Sequence, residues 1–246
     1  MEQRVLAAID VDGLLDCLRE LIAIPSLGGA ETAAQESVAA QMSRCGLRVD
    51  AWELDLARLS QHPGFSMEVQ RERGLGVAGT MGEGAGGRSL ILNGHVDVVP
   101  CGDEANWHYP PWQGTIAHGR VYGRGAVDMK GGLCCALFAA KALRDAGIRL
   151  NGRLIVESVV GEEDGGVGTL AAILRGYTAD GAIIVEPTAL AVVPAQAGAL
   201  SFRVTVQGHA AHGCVREEGV SAVEKFILIH EALMKLEREY NDEARH

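Results

Sequence analysis

The stretch RLIVESVV (Arg153–Val160) runs directly into GEEDGG (Gly161–Gly166), and its reading decides the fold. The first eight residues read as a buried strand. The chain then releases adjacent carboxylates, Glu162 and Glu163, into a glycine turn. Neighbouring side chains on a strand point to opposite faces, so only the turn can bring both acids into one site. Adjacent carboxylates at that point are costly unless a positive group sits between them. Active sites of open α/β sheets lie at this carboxyl end of the strands. Taken alone, GEEDGG reads more readily as a solvated acidic turn, and its neighbours along the chain change that reading.

Working outward, helical periodicity covers Asp10–Ala23 and Glu31–Cys45, the second stopped by Gly46. Leu47–Leu54 alternates as a strand, and Asp55–Gly74 reads as an irregular excursion. Strands follow at Gly76–Met81 and Ser89–Asn93, the latter leading into GHVDVVP (Gly94–Pro100). GRGAVDMKGG (Gly123–Gly132) opens onto a helix over Leu133–Ala146. Beyond the acidic turn come a helix at Val167–Leu174 and a short buried strand, Gly181–Val185, ending at Glu186-Pro187-Thr188. Strands alternating with helices predict an α/β protein with a mainly parallel sheet flanked by helices. After Pro194 the pattern changes to an alternating strand (Ala199–Gln207), the loop Gly208–Gly213 and a long amphipathic helix (Gly219–Tyr240). One strand and one helix are the start of a second, α+β unit. The expected division is residues 1–196 and 197–246, the second incomplete.

Composition narrows the partners. A net charge of −10 over 246 residues offers no basic surplus for phosphates and excludes a nucleic-acid partner. No apolar run reaches the roughly 18 residues of a membrane span, and the acid-bearing N-terminal segment reads as an amphipathic helix and not as a signal peptide. Six cysteines without a CxxC pair or a disulfide spacing predict reduced thiols in a cytoplasmic protein.

Strand-end and loop clusters then line up: His95 with Asp97, Asp128, Glu162 with Glu163, and Glu186. Imidazole nitrogens and carboxylate oxygens are the ligands of a catalytic zinc, or of cobalt or manganese in the same cage. In His95-x-Asp97 the two side chains point the same way, so the Asp97 carboxylate is expected to accept the second ring N–H of His95. Asp128 lies in a glycine-rich loop, where one carboxylate can bridge two ions. One of the paired glutamates is then free to act as general base. A lone strand-end histidine is more often a packed core residue, and it is the cluster that favours a ligand.

GHVDVVP, GRGAVDMKGG, GEEDGG and VEPT (Val185–Thr188), in this order, resemble the zinc-dependent amidohydrolase family of acetylornithine deacetylases, succinyl-diaminopimelate desuccinylases, aminoacylases and carboxypeptidase G. The resemblance implies a metal-dependent hydrolase cleaving the amide of an N-acyl amino acid or small peptide, with two Zn2+ per site and Co2+ as a possible substitute. It makes His95 and Glu186 ligands of one metal, Asp128 the bridge and Glu163 a ligand of the second. Glu162 matches the general base and Asp97 the residue supporting His95. It also implies a cis peptide at Asp128-Met129, and a lid domain that forms a homodimer. In that lid, Gly208-x-x-x-His212 matches a loop whose histidine stabilises the oxyanion in a partner's site. An exposed loop histidine is the equal alternative for His212.

The pattern breaks in one respect. Family members are longer and return from the lid with a further histidine ligand, so a truncated chain with a weak second metal site is expected. Two other readings follow: a non-catalytic zinc-binding or dimerisation module on the same scaffold, and a binuclear phosphoesterase, which the GEEDGG pair and the lid-like GHAAH disfavour. Which acyl group or amino acid is removed is not written in the sequence.

Overall fold

The computed structural model of the protein describes residues 1–84, 86–193 and 202–242. The chain divides into two compact units, the first ending at Val192. The first unit opens with α1 (Glu2–Leu6), α2 (Val11–Ile22), α3 (Thr32–Arg44), β1 (Arg48–Glu53) and α4 (Leu56–Leu59). It continues with β2 (Leu75–Met81), β3 (Ser89–His95), a hairpin of β4 (Thr115–Ala117) and β5 (Arg120–Tyr122), and α5 (Lys130–Asp145). β6 (Arg153–Val159), α6 (Val167–Arg175) and β7 (Gly181–Ile184) complete it. Local chemistry marks the helix ends. The Asp10 carboxylate accepts the Gly13 N–H at 2.9 Å to start α2, and Gly46, at φ 80°, follows α3.

Five strands form one sheet in the order β1-β2-β6-β3-β7. β1–β2 and β2–β6 pair antiparallel, while β6–β3 and β3–β7 pair parallel. The α/β class holds, and the sheet is mixed where a mainly parallel one was expected. Successive residues go to opposite faces, as the strand period requires. Val77, Leu154 and Val156 join Leu21, Ile22, Val38, Met42, Leu133 and Leu137 from α2, α3 and α5 in the main core. Ala78, Ile91 and Ile155 point the other way, against Trp52, Tyr177 and Ala179. In the parallel half His95 lies opposite Val159, and Asn93 opposite Ile184. β3 and β6 therefore stop at one level, with β7 ending two residues earlier, and the acidic groups emerge beyond these strand ends.

β7 corrects one expectation. It is exposed at all four positions, with Ile183 at 51% and Ile184 at 62%, because it is the edge strand of the sheet. In the second unit α7 (Ala222–Tyr240) is the expected long helix, capped by Ser221 Oγ, which accepts the Glu224 N–H at 3.2 Å. Of the expected strand Ala199–Gln207, residues 199–201 and the 196/197 boundary lie outside the described residues. Residues 202–207 form no ladder, since alternation alone makes no strand without a partner to pair with.

Glu157 on β6 is a buried acid in the sheet. Its Oε2 accepts from Asn93 Nδ2 at 2.9 Å, while Oε1 is buried and has no hydrogen-bond partner among the described residues. Burial raises its pKa, and the Asn93 bond only partly opposes this. A carboxyl whose pKa is raised by folding favours the folded state below its unfolded value, near 4.5. That advantage is lost as pH climbs through the folded value. Glu157→Gln is therefore expected to melt above the unaltered chain at pH 7–8, with the gap closing near pH 4. Thermal melts at the two pH values check this, and a gap independent of pH would sink the account.

Candidate metal centre

His95 ends β3 and is 1% exposed. The chain beyond it stays ordered because Ser26 Oγ donates to Val96 O at 2.5 Å and the Val98 N–H donates to Ser26 O at 3.0 Å. His95 Nδ1 lies 2.9 Å from the Asp97 main-chain oxygen. A carbonyl only accepts, so Nδ1 carries a proton, and Nε2 points away from it. This corrects the expected role of the Asp97 carboxylate, whose Oδ1 is 3.5 Å from the ring. Its Oδ2 instead accepts the Glu163 N–H at 3.0 Å, which ties the GHVDVVP segment to the acidic turn.

Around Nε2 stand three carboxylates from three different segments. Asp128 Oδ1 is at 3.3 Å, Glu186 Oε1 at 3.6 Å and Glu162 Oε2 at 3.8 Å. Nε2 itself is buried and makes no hydrogen bond among the described residues. A buried ring nitrogen without a hydrogen bond, facing a ring of acids, is a fitting arrangement for a cation. His95, Glu162 and Glu186 offer ligand atoms within 4.8 Å of one another, and so do His95, Asp128 and Glu163. The peptide between Asp128 and Met129 is cis, as expected.

The acids register their crowding. Burial, reinforced by Asp128 and Glu162 against the pull of His95, pushes the Glu186 carboxyl up to about 7. Glu163 is also raised, first by burial and then by Asp128. Burial alone would lower the His95 pKa, but Asp97, Glu162 and Glu186 together hold it above its ordinary value. Negative charge thus converges on the His95 ring.

The turn that presents Glu162 and Glu163 depends on its glycines. Gly161, Gly165 and Gly166 have φ of 68°, 127° and 82°, values that side-chain-bearing residues rarely adopt. Behind the turn lies an element that the sequence reading passed over as irregular. Arg71, with a fully buried side chain, donates to Asp164 Oδ1 and Oδ2 at 3.1 and 2.6 Å and to Glu31 Oε1 at 2.8 Å. The Glu68 N–H donates to Asp164 O at 2.8 Å. The one local signal was Asp164, a third acid in the motif with no assigned task.

His95, Asp97, Asp128, Glu162, Glu163 and Glu186 thus come together as the sequence motifs suggested. His212 belongs to the second unit, where its ring Nδ1 accepts the Cys214 N–H at 3.2 Å and opens the 3-10 turn Gly213–Glu218.

A mixed sheet with an acid-ringed histidine at its strand ends defines an α/β protein with a candidate metal site. The model of peptidase family M20/M25/M40 matches residues 91–239, and the chain belongs to that family. It is 36% identical to an N-formyl-4-amino-5-aminomethyl-2-methylpyrimidine deformylase of Halalkalibacterium halodurans, over 97% of this chain and 56% of that protein. It is 34% identical to a probable succinyl-diaminopimelate desuccinylase of Staphylococcus aureus (strain Mu50), over 66% of this chain and 40% of that one. The chain thus spans roughly half the length of these relatives. In structure it resembles human carnosine dipeptidase 1, with a TM-score of 0.60 and 22% identity over 75% of this chain and 41% of the other. That is a likeness of fold. No helix among the described residues is long and apolar enough to cross a membrane.

Proposed function

We propose that this chain carries the metal site of a hydrolase that cleaves the amide of a small N-acyl compound, an N-acyl amino acid or a short peptide. The observation that carries the reading is the convergence of Asp128, Glu162 and Glu186 on the buried, unpartnered Nε2 of His95. The relatives' names, a deformylase and a desuccinylase, support removal of a small acyl group from nitrogen.

In this reading His95, Asp128 and Glu186 hold one Zn2+, and Asp128 with Glu163 holds a second, with Co2+ able to replace either. When bound, the metal polarises the scissile carbonyl and acidifies water. Asp97 fixes the His95 ring through its carbonyl and fixes the Glu163 backbone through its carboxylate. Glu162 takes the proton from the attacking water and returns it to the leaving nitrogen. His212 donates to the developing oxyanion in the site of a second copy, which makes the working form a homodimer joined through the second unit. Six free cysteines support a reducing, cytoplasmic setting.

Metal content per chain tests the reading, measured after dialysis against trace zinc, with hydrolysis of N-formyl, N-acetyl and N-succinyl amino acids assayed on the same sample. Metal held by His95, Asp128 and Glu186, with turnover, is expected, the Asp128–Glu163 site filling weakly. One metal without turnover would instead favour the non-catalytic zinc-binding module, and no bound metal would remove the basis of the proposal.

A further inference from the structure

The segment before β2 packs tightly against the back of the acidic turn. A Cβ added at Gly161 would lie 2.6 Å from Arg71 Nη1, and one at Gly165 would lie 2.6 Å from Ser66 Oγ. The Arg71 side chain is wholly buried, and Glu31 and Asp164 are 2% and 5% exposed at theirs. Three charged groups sealed from water need a close geometric match to be tolerated. The planar guanidinium supplies it, gripping both oxygens of Asp164 with Nη1 and Nη2 and Glu31 with the second N–H of Nη2, while its buried Nε has no partner among the described residues.

Two carboxylates share this single cation, so the cluster keeps a surplus negative charge. It therefore does not neutralise the acids of the metal centre, and its contribution is geometric. Asp164 follows Glu162 and Glu163 directly. The turn is thus pinned on one side by Arg71 through Asp164 and on the other by Asp97 through the Glu163 N–H. Between those two pins only the Glu162 and Glu163 side chains remain to be aimed. Glu31 stands at the start of α3, one turn before Gln35. Gln35 in turn donates to Ser158 O at 2.8 Å and accepts from Ser158 Oγ at 2.5 Å. The same helix start therefore holds both the strand and the turn that follows it.

We propose that Arg71 is a positioning residue of the metal centre: held by Glu31, it fixes Asp164 and so sets the turn that directs Glu162 and Glu163 toward His95. The proposal rests on the metal-site reading above. Its test is hydrogen–deuterium exchange on the full chain, with Co2+ affinity read in parallel from visible absorption. In Arg71→Met the amides of Glu163, Gly166 and Gly168, which are hydrogen-bonded in and beside the turn, are expected to exchange at least tenfold faster. Those of β6 and α5 should keep their protection. Co2+ affinity is expected to fall by about 10–100-fold, the usual effect of losing an outer support of a metal ligand. Arg71→Lys, which keeps the charge and loses the fork, should fall between. Should Arg71→Met fail to fold, Asp164→Asn removes the same grip and is expected to give the same local signature. Unchanged turn exchange and Co2+ affinity in a folded variant would overturn the proposal, and so would equal acceleration throughout the sheet, the mark of a merely structural role. An unaltered chain that takes up no Co2+ would count against the metal reading, while the contrast in exchange still decides the clamp.

Discussion

Replacing Glu162 by glutamine is expected to lower turnover by about 10²–10⁴-fold, the usual contribution of a positioned general base, with the metal content of the chain unchanged. Glutamine keeps the shape of the side chain and cannot accept a proton from water. Glu163→Gln is expected to act differently, lowering the number of bound metals, because its carboxylate is assigned as a ligand. The pair of variants matters because the geometry leaves both acids close to one nitrogen. Glu162 Oε2 is 3.8 Å from His95 Nε2 and falls in a ligand-competent group with Glu186, while Glu163 falls in one with Asp128. Metal analysis and kcat on the same preparations separate the roles. A Glu162→Gln chain that loses metal and a Glu163→Gln chain that retains it would show the two assignments to be reversed.

What the sequence disclosed follows from how local each signal is. His95 and Asp97 sit two apart at the end of one strand, and Glu162 and Glu163 share one turn. Each cluster was therefore readable as a motif, and the rule that α/β sites gather at strand ends brought them together. Strand direction is not a local property. The alternation of Leu75–Met81 is the same whether β2 runs with β6 or against it, so the mixed sheet was not legible. Nor was the exposure of β7, because apolar runs such as Ala182–Val185 look alike at an edge and in a core. Arg71 was the most consequential omission. Its partners lie 40 and 93 residues away, and a single arginine among charged loop residues carries no periodicity. The bond between His95 and the Asp97 carbonyl was missed because motif reasoning weighs side chains and overlooks main-chain acceptors.

Lys130 leads to the second large effect. It is fully buried, at 0% exposure. Its Nζ donates to Leu21 O at 2.8 Å and to Ile24 O at 2.9 Å. Those carbonyls lie at the end of α2, where main-chain oxygens run short of intrahelical donors, although Leu21 O also accepts the Ile24 N–H at 3.2 Å. An ammonium there both satisfies the oxygens and meets the negative end of the helix dipole. Lys130→Met keeps the length and most of the volume but takes the ammonium from Ile24 O and leaves Leu21 O to the Ile24 N–H. At roughly 1–3 kcal/mol for a buried group left unsatisfied, the expected loss is about 1–3 kcal/mol, measurable as a lower urea midpoint at unchanged m-value. The damage should extend to function. Lys130 begins α5 two residues after Asp128 and anchors that start to α2, along an interface where Cys17 and Cys134 also meet, Sγ to Sγ at 3.6 Å. Weaker Co2+ binding is therefore expected along with the lost stability. A loss below about 1 kcal/mol would mean that water or a neighbouring donor replaces the ammonium, and that α5 is held in place by its apolar face alone.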